Sequence, residues 1–269
     1  MDFPESARGA DCHAHVFSAD APAVPGARYR PAYAASLEAW MALWPSAGVT
    51  HGVLVQPSFF GTDNREMLAA LARHPQRLRG IAVVDPFIAE RELDALHSAG
   101  VRGVRLNLKG VEPAVPLQSP PWIALFDRVA ARGWHVELFV DHGALPSVAP
   151  ALEGSAVPLV LDHFGNPGLE ARAVEETFAA AEALRARGPV WCKFSGEYRL
   201  GGARAAPLAR RWLELLGDAQ VVWGSDWPWT GHEAGRDYAA LRAQLDGWTG
   251  SGLSRAVLWD NAARLYGFA

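Results

Sequence analysis

The sequence predicts an α/β fold in which eight parallel strands close into a (β/α)8 TIM barrel. Eight short runs rich in valine, isoleucine, leucine and aromatic residues recur along the chain, and amphipathic segments separate most of them. Near-continuous apolar strands that alternate with helices indicate a parallel sheet covered by helices. The 269 residues show no break in composition, so we expect a single barrel domain over residues 1–269.

The strands are predicted, in order, at Ala10–Phe17, Gly52–Pro57, Gly80–Asp85, Gly103–Leu108, Trp134–Asp141, Leu159–His163, Val190–Ser195 and Val221–Asp226. The amphipathic segments predict helices at Ser36–Trp44, Arg65–Arg73, Glu90–Ser98, Pro121–Ala131, Glu170–Ala186, Pro207–Leu216 and Gly235–Leu245. Ser18–Arg30 is rich in alanine and proline without periodicity, which predicts an extended loop over the barrel mouth. Ser254–Tyr266 is interpreted as a final helix packed on the outside of the barrel. No G-x-G-x-x-G motif follows a strand, which argues against a dinucleotide-binding fold.

Composition places the chain among ordinary soluble globular proteins. Half of the residues are apolar, a fifth are charged, and the formal net charge is −4. The densest basic segment, Arg204–Arg211, holds three arginines and is interpreted as a solvated helix face, so no nucleic acid partner is expected. No apolar run approaches a membrane span, and MDFPESARGAD lacks a signal-peptide pattern. Cys12 and Cys192 are expected to be buried thiols in a reducing cytoplasm.

Four polar side chains are predicted to converge at the mouth of the barrel. His13 and His15 are two residues apart on strand one, so both imidazoles face the same side. His163 ends strand six and Asp226 ends strand eight, and barrel active sites form at the carboxyl ends of strands. Two tryptophans beside Asp226 predict an apolar setting that raises its pKa and suits it to act as a base. The set predicts a hydrolytic enzyme.

Two interpretations of this set remain open. Imidazole nitrogens and a carboxylate are natural ligands for zinc or a similar divalent ion, which would activate water, so His13, His15, His163 and Asp226 are also candidate metal ligands. Alternatively, the enzyme is metal-independent: the histidines polarise a carbonyl and Asp226 takes the proton from water.

The positions of other polar residues on the strands indicate whether they bind substrate or belong to the core. Arg102, Arg105, Lys109 and Arg199 are candidate anchors for an anionic substrate, and Arg105 is favoured because it shares the inward face with Asn107. Asp162 is expected to point away from the face of His163 and to be structural. Glu137 could face either the site or the helices. His135 and Cys192 are interpreted as core.

The motifs together resemble the amidohydrolase superfamily, in the branch that contains 2-pyrone-4,6-dicarboxylate lactonase and related lactone hydrolases. The matching segments run in family order along the whole chain and include DCHAHVF at 11–17, LDHFG at 161–165, KFSGEYR at 193–199 and VVWGSDWPW at 221–229. The resemblance implies a (β/α)8 barrel that hydrolyses a lactone ring, with a divalent metal in some members and none in others. It also implies small-molecule substrates and a homo-oligomer.

Carried over to this chain, the resemblance assigns carbonyl activation and water deprotonation to His13, His15, His163 and Asp226. The predicted substrate contacts are Ser58, Arg105 and Arg199, together with Asn166 and Phe139. Two positions depart from the dicarboxylate lactonases: Asn166 replaces an arginine, and Phe139 replaces a tyrosine. Both changes remove polar contacts and favour a lactone with fewer acidic groups. The alternatives are a decarboxylase or hydratase on the same barrel, and a barrel that only binds a small acid or sugar.

Overall fold

Eight strands form one parallel sheet whose spatial order is the order of the sequence. The computed structural model describes residues 8–20, 22–111, 114–201 and 204–269. The strands are β1 (Ala10–Ala14), β2 (His51–Val55), β3 (Leu78–Ala82), β4 (Val101–Asn107), β5 (His135–Phe139), β6 (Leu159–Leu161), β7 (Val190–Phe194) and β8 (Val221–Trp223). Each predicted apolar run overlaps one of them, so the predicted (β/α)8 fold class is confirmed.

The barrel is closed by backbone hydrogen bonds between β1 and the residues that follow β8. The amide of Asp226 donates to the carbonyl of His13 at 2.8 Å, and the amide of His15 donates to the carbonyl of Trp227 at 2.8 Å. Closure therefore places the end of strand one directly beside Asp226, although more than 200 residues separate them in the sequence.

Helices follow the strands and cover the outside of the sheet. They are α1 (Leu37–Leu43), α2 (Arg65–Arg73), α3 (Glu90–Ser98), α4 (Pro120–Ala131), α5 (Leu145–Leu152), α6 (Ala171–Arg185), α7 (Ala205–Leu216), α8 (Tyr238–Thr249), α9 (Ser251–Arg255) and α10 (Asn261–Tyr266). Only α5 of the first eight was not among the predicted helices. Its sequence, LPSVAPAL, contains two prolines and no charged residue, so no charged face marks it as an amphipathic helix.

The end of the chain packs only partly on the outside of the barrel, as Val257 and Leu258 do, so the prediction of a wholly external final helix was wrong. A π-helical turn, Ala256–Asp260, joins α9 to α10. Trp259 and Tyr266 belong to the same buried cluster as the strand residues Cys12, Val53 and Ile81, whereas the outer faces of the strands pack with the helices in a separate cluster. The terminal segment therefore closes the barrel interior at the end opposite the mouth.

The segment after β1 is an extended loop, as predicted. Its base is held where Phe17 and Ala35 exchange backbone hydrogen bonds of 2.9 and 2.8 Å. Arg28 and Tyr29 from this loop line a cavity at the barrel mouth. Cys12 and Cys192 are buried free thiols, as expected. No helix in the described part of the chain has the length and apolar character needed to cross a membrane. The predicted absence of a signal peptide concerns residues that lie largely outside the described ones.

Candidate active site

The structure brings the three predicted histidines and Asp226 together at the mouth of the barrel. The Nε2 atoms of His13 and His15 each lie 3.7 Å from Asp226 Oδ1, and Nε2 of His163 lies 3.9 Å from Asp226 Oδ2. The ring centroids of His15 and His163 lie 5.0 and 4.8 Å from that of His13. All four side chains are buried. Three nitrogens from two distant parts of the chain therefore surround one carboxylate.

Left-handed backbone conformations turn two of these side chains inward. His163 has φ of 50° in the turn that follows β6, and Asp226 has φ of 58° after β8. Residues other than glycine rarely adopt such angles, and they are enriched at functional sites. Asp11 holds β1 against this second turn, since its carboxylate accepts hydrogen bonds from the amide and hydroxyl of Ser225 at 2.8 and 2.6 Å.

The tautomer of His15 is set by its neighbour on β2. Its Nδ1 lies 2.7 Å from the carbonyl oxygen of Val55, which can only accept, so Nδ1 carries the hydrogen. Burial, helped by Arg105, lowers the pKa of His15 to about 4, so the ring is neutral at pH 7. Its Nε2 lone pair then faces Asp226 Oδ1, which is also an acceptor. Two facing acceptors at 3.7 Å require a donor or a cation between them.

Asp226 is the most strongly polarised group of the site. Its Oδ2 accepts hydrogen bonds from the Tyr198 hydroxyl at 2.5 Å and from Arg199 Nε at 2.9 Å. Burial alone raises the pKa of this carboxyl, but the Arg199 charge and the surrounding imidazoles outweigh it and hold the pKa well below its ordinary value. The expectation of a raised pKa for Asp226 was therefore wrong. Arg199, in the loop that follows β7, reaches the carboxylate despite the tryptophans nearby.

The donor set fits a divalent cation. No hydrogen-bond partner for Nε2 of buried His13 is found in the described part of the chain. Nε2 of His13, Nε2 of His163 and a carboxylate oxygen of Asp226 form a group whose ligand atoms lie within 4.8 Å of one another. Ligands about 2.1 Å from a tetrahedral zinc ion stand roughly 3.4 Å apart, close to the separations observed here. His15 approaches this group only through Asp226 Oδ1.

Four of the five predicted substrate contacts line a cavity of about 200 Å³ that opens to solvent beside Asp226. They are Ser58, Arg105, Phe139 and Arg199. Asn166 does not line this cavity. It is buried at φ of 46°, and its amide donates to the carbonyl of Val140 at 2.6 Å, so it shapes the turn after β6. A larger cavity, about 390 Å³, lies beside α2 and contains none of the predicted site residues.

Two of the three predicted arginine anchors, Arg105 and Arg199, are already paired inside the protein. Nε and a terminal nitrogen of Arg105 contact Asp162 Oδ2 at 3.3 and 3.1 Å, and its other terminal nitrogen donates to the backbone carbonyl of Gln56. Arg199 contacts Asp226 Oδ2 through Nε and a terminal nitrogen, both at 2.9 Å. Each guanidinium therefore neutralises a buried carboxylate of the barrel. The third prediction was wrong: Arg102 lies at the start of β4, donates to the carbonyls of His97 and Val101, and does not line the cavity.

A second buried charge cluster lies directly beneath His13, and the sequence interpretation missed it. Lys193 on β7 donates a short hydrogen bond to Glu137 on β5, and its Nζ lies 3.6 Å from Asp162 Oδ1. Nδ1 of His13 lies 3.3 Å from both Asp162 Oδ1 and Lys193 Nζ. Asp162 therefore points into the barrel, as do Glu137 and Lys193, and the prediction that it faces away from the site was wrong.

The error has a local cause. Alternation along β6 places Asp162 on the inner face with Val160, and the left-handed φ of His163 then turns the next side chain inward as well. Glu137 could have been assigned from its partner: Arg105 and Glu137 are paired in register on β4 and β5, so they share one face. His135 and Cys192 are buried, as predicted.

Comparison with known proteins agrees with this architecture. The model of the Amidohydrolase family Amidohydro_2 matches residues 10–268. A 2-pyrone-4,6-dicarboxylate hydrolase of Comamonas testosteroni is 34% identical over 84% of this chain and 78% of its own length. A 4-sulfomuconolactone hydrolase of Rhizobium radiobacter is 28% identical over 96% of this chain and 89% of its own.

A solved structure from Acinetobacter baumannii, described as a probable 2-pyrone-4,6-dicarboxylic acid hydrolase with citric acid bound, is also similar. It superposes with a TM-score of 0.88 at 33% identity and covers 97% of this chain and 99% of its own. The barrel, the convergent histidines and aspartate, and these matches lead to one conclusion: the chain belongs to the amidohydrolase family.

Proposed function

We propose that the protein is a hydrolase that opens a small lactone, with Asp226 as the group that moves the proton. The observation that carries the proposal is the convergence of three imidazole nitrogens on the Asp226 carboxylate at the wall of a solvent-open cavity. Two lactone hydrolases are 34% and 28% identical to this chain over most of its length, which supports lactone hydrolysis as the reaction.

In the proposed reaction, a water molecule between Asp226 and the substrate gives a proton to Oδ1 while its oxygen adds to the ester carbonyl. The ring C–O bond then breaks, and Asp226 returns the proton to the leaving oxygen, so one water is consumed and a hydroxy acid forms. Arg199 and Tyr198 hold Oδ2 of the same carboxylate and so orient Oδ1 towards the cavity.

The lowered pKa of Asp226 affects the two halves of this reaction in opposite ways. A carboxyl group with a low pKa releases its proton readily to the leaving oxygen, but its carboxylate is a weak base towards water. The first half therefore needs more acidic water. A divalent ion held by His13, His163 and Asp226 would lower the pKa of bound water and polarise the carbonyl, and zinc or a similar ion suits this donor set.

The cavity argues for a small, single-ring substrate. Its volume of about 200 Å³ lies below the roughly 300–1,000 Å³ of pockets that hold drug-sized ligands. Phe139 presents an aromatic wall in the cavity and packs edge-on against His163 at 5.0 Å. We further propose that residues 1–269 form one domain and that the enzyme works in a reducing cytoplasm, which suits its two free thiols. A homo-oligomer remains a prediction.

The test is the Asp226→Asn variant, assayed with a panel of small lactones and a pH indicator. The amide cannot take up the proton, so we expect turnover to fall at least about 10²–10⁴-fold while the circular dichroism spectrum stays that of the wild type. Asp85→Asn, at an exposed carboxylate that does not line the cavity, is the matched control. Near-normal activity of Asp226→Asn would refute the assignment.

Metal dependence is measured on the same protein. Elemental analysis before and after treatment with a chelator, followed by the lactone assay, separates the metal-assisted reaction from the metal-independent one. Release of CO₂ instead of acid would indicate the decarboxylase alternative, which no observation among the described residues of this site favours.

A further inference from the structure

Two cationic side chains at the cavity have no role in the proposed proton transfer. Four cations line the cavity: Arg28, Arg105, Lys109 and Arg199. Arg105 and Arg199 are paired with buried carboxylates, as described above. Arg28 and Lys109, by contrast, form no ion pair within 4 Å in the described part of the chain.

The contacts of Arg28 and Lys109 leave most of their donors available. One terminal nitrogen of Arg28 donates to the side-chain oxygen of Asn107 at 3.0 Å. Lys109 Nζ lies 5.5 Å from the centroid of the Phe139 ring. Asp141 interacts electrostatically with both cations, and its Oδ2 is held by the amide of Gly110 at 2.7 Å. The remaining donors of both side chains are therefore available at the cavity that Phe139 also lines.

Arg28 is held over the mouth by the loop that carries it. Tyr29 and Tyr33 both donate hydrogen bonds to Glu233 Oε1, at 3.0 and 2.8 Å, across the opening from the loop after β8. The amide of Gly231 donates to the same oxygen at 2.9 Å. Because these contacts within the protein fix the loop, they hold Arg28 at the opening, which reduces the entropy lost on binding.

The carboxylates near the cavity are unevenly shared among its four cations. Asp162 and Asp226 contact Arg105 and Arg199 directly, whereas Asp141 acts on Arg28 and Lys109 only at longer range. Glu233, at the opening, accepts hydrogen bonds from Tyr29, Tyr33 and Gly231. Arginine forks around a carboxylate through two parallel hydrogen bonds, and lysine adds a point charge beside it.

We propose that Arg28 and Lys109 bind one carboxylate carried by the lactone ring, at the end of the substrate away from Asp226. The substrate class is then a small lactone monocarboxylate, and these two residues determine specificity for its charge. The inference rests on the proposed function, because it names the substrate of the same site.

The experiment compares charged and neutral ligands in matched pairs. The substrates are γ-butyrolactone-γ-carboxylate and its primary amide, and the binding probes are pyroglutamate and pyroglutamide, the corresponding lactams, measured by calorimetry. The variants are Arg28→Met and Lys109→Met. Arg30→Met is the control, since Arg30 is exposed on the same loop and does not line the cavity.

We expect the wild type to favour the carboxylate in both assays. Each of Arg28→Met and Lys109→Met should raise KM for the charged lactone and weaken pyroglutamate binding about 10- to 100-fold, as expected for one lost charge-assisted hydrogen bond. Values of kcat and all constants for the neutral ligands should change less than about 3-fold. Arg30→Met should behave as the wild type.

The outcomes separate the two proposals. Equal binding of pyroglutamate and pyroglutamide by the wild type, or a preference for charge that survives in both variants, overturns the carboxylate anchor. Charge-dependent binding that is lost in the variants, together with no opening of either lactone by the wild type, supports the anchor and refutes the lactone reaction.

Discussion

His13 illustrates how neighbouring residues decide what one side chain can do. Its Nε2 faces Asp226 Oδ1 at 3.7 Å, whereas its Nδ1 faces a buried acid, Asp162, and a buried base, Lys193, both at 3.3 Å. If Nδ1 donates to Asp162, Nε2 carries a lone pair; if Nδ1 accepts from Lys193, Nε2 carries the hydrogen. The charge cluster beneath the site thus controls whether His13 presents an acceptor or a donor to the cavity.

The first prediction concerns this cluster. Burial, with Asp162 adding to it, raises the pKa of Glu137 to about 8 in spite of Lys193. Lys193→Met leaves Arg105 as the remaining cation beside Glu137 and Asp162, so we expect the free energy of unfolding to fall by about 3–5 kcal/mol in urea titrations at pH 9, where the wild-type Glu137 is ionised. The double variant Lys193→Met/Glu137→Leu replaces both partners by apolar groups and should regain part of that loss. A double variant no more stable than the single one would contradict this account.

At the scale of elements, the short segment that ends the chain closes one end of the barrel, a role that its sequence pattern does not predict. The π-helical turn and α10 insert Trp259 and Tyr266 among inward-facing strand residues, which closes the barrel below the charge cluster. The ring of Tyr266 lies edge-on to His135 at 5.5 Å. Among the described residues, the Tyr266 hydroxyl and both ring nitrogens of His135 have no hydrogen-bond partner.

The second prediction follows from this packing. Tyr266→Phe removes an unpartnered buried hydroxyl and keeps the ring, so stability should stay the same or rise, by up to about 1–3 kcal/mol. Tyr266→Ala leaves a cavity and should cost about 3–5 kcal/mol. Chemical denaturation of both variants tests this; a clear loss of stability in Tyr266→Phe would show that the hydroxyl is bonded, for example to an internal water.

At the scale of the whole molecule, burial keeps a set of histidines neutral. Burial lowers the pKa of His15, His51 and His163 to about 4 and that of His135 to about 3, and it lowers the pKa of His13 well below its ordinary value. An unfolded chain binds protons at these positions below about pH 6.5, whereas the folded chain does not. The free energy of unfolding therefore decreases as the pH falls.

The third prediction is the resulting pH dependence. The stability present above pH 6.5 should decline continuously between about pH 6.5 and pH 4, by up to roughly 1.4 kcal/mol per pH unit for each histidine. Urea unfolding at pH 7, 6 and 5 measures the slope, and His135→Leu should make it shallower by removing one titrating group. Asp226, whose pKa is lowered, contributes only below this window. A stability independent of pH between 7 and 5 would contradict the prediction.

The sequence by itself determined the eight strands, seven of the first eight helices and the positions of His13, His15, His163 and Asp226 at strand ends. These follow from hydrophobic periodicity and from the rule that parallel strands of a barrel open at one end. Only the tertiary structure decided that Asp162 faces the barrel interior and that Arg105 and Arg199 pair with buried carboxylates. It also decided that Asn166 lies outside the cavity lining and that the final segment packs into the barrel end. The physical reason is that side-chain direction beyond a strand depends on individual φ angles, and charge pairing depends on which strands the closed barrel brings together.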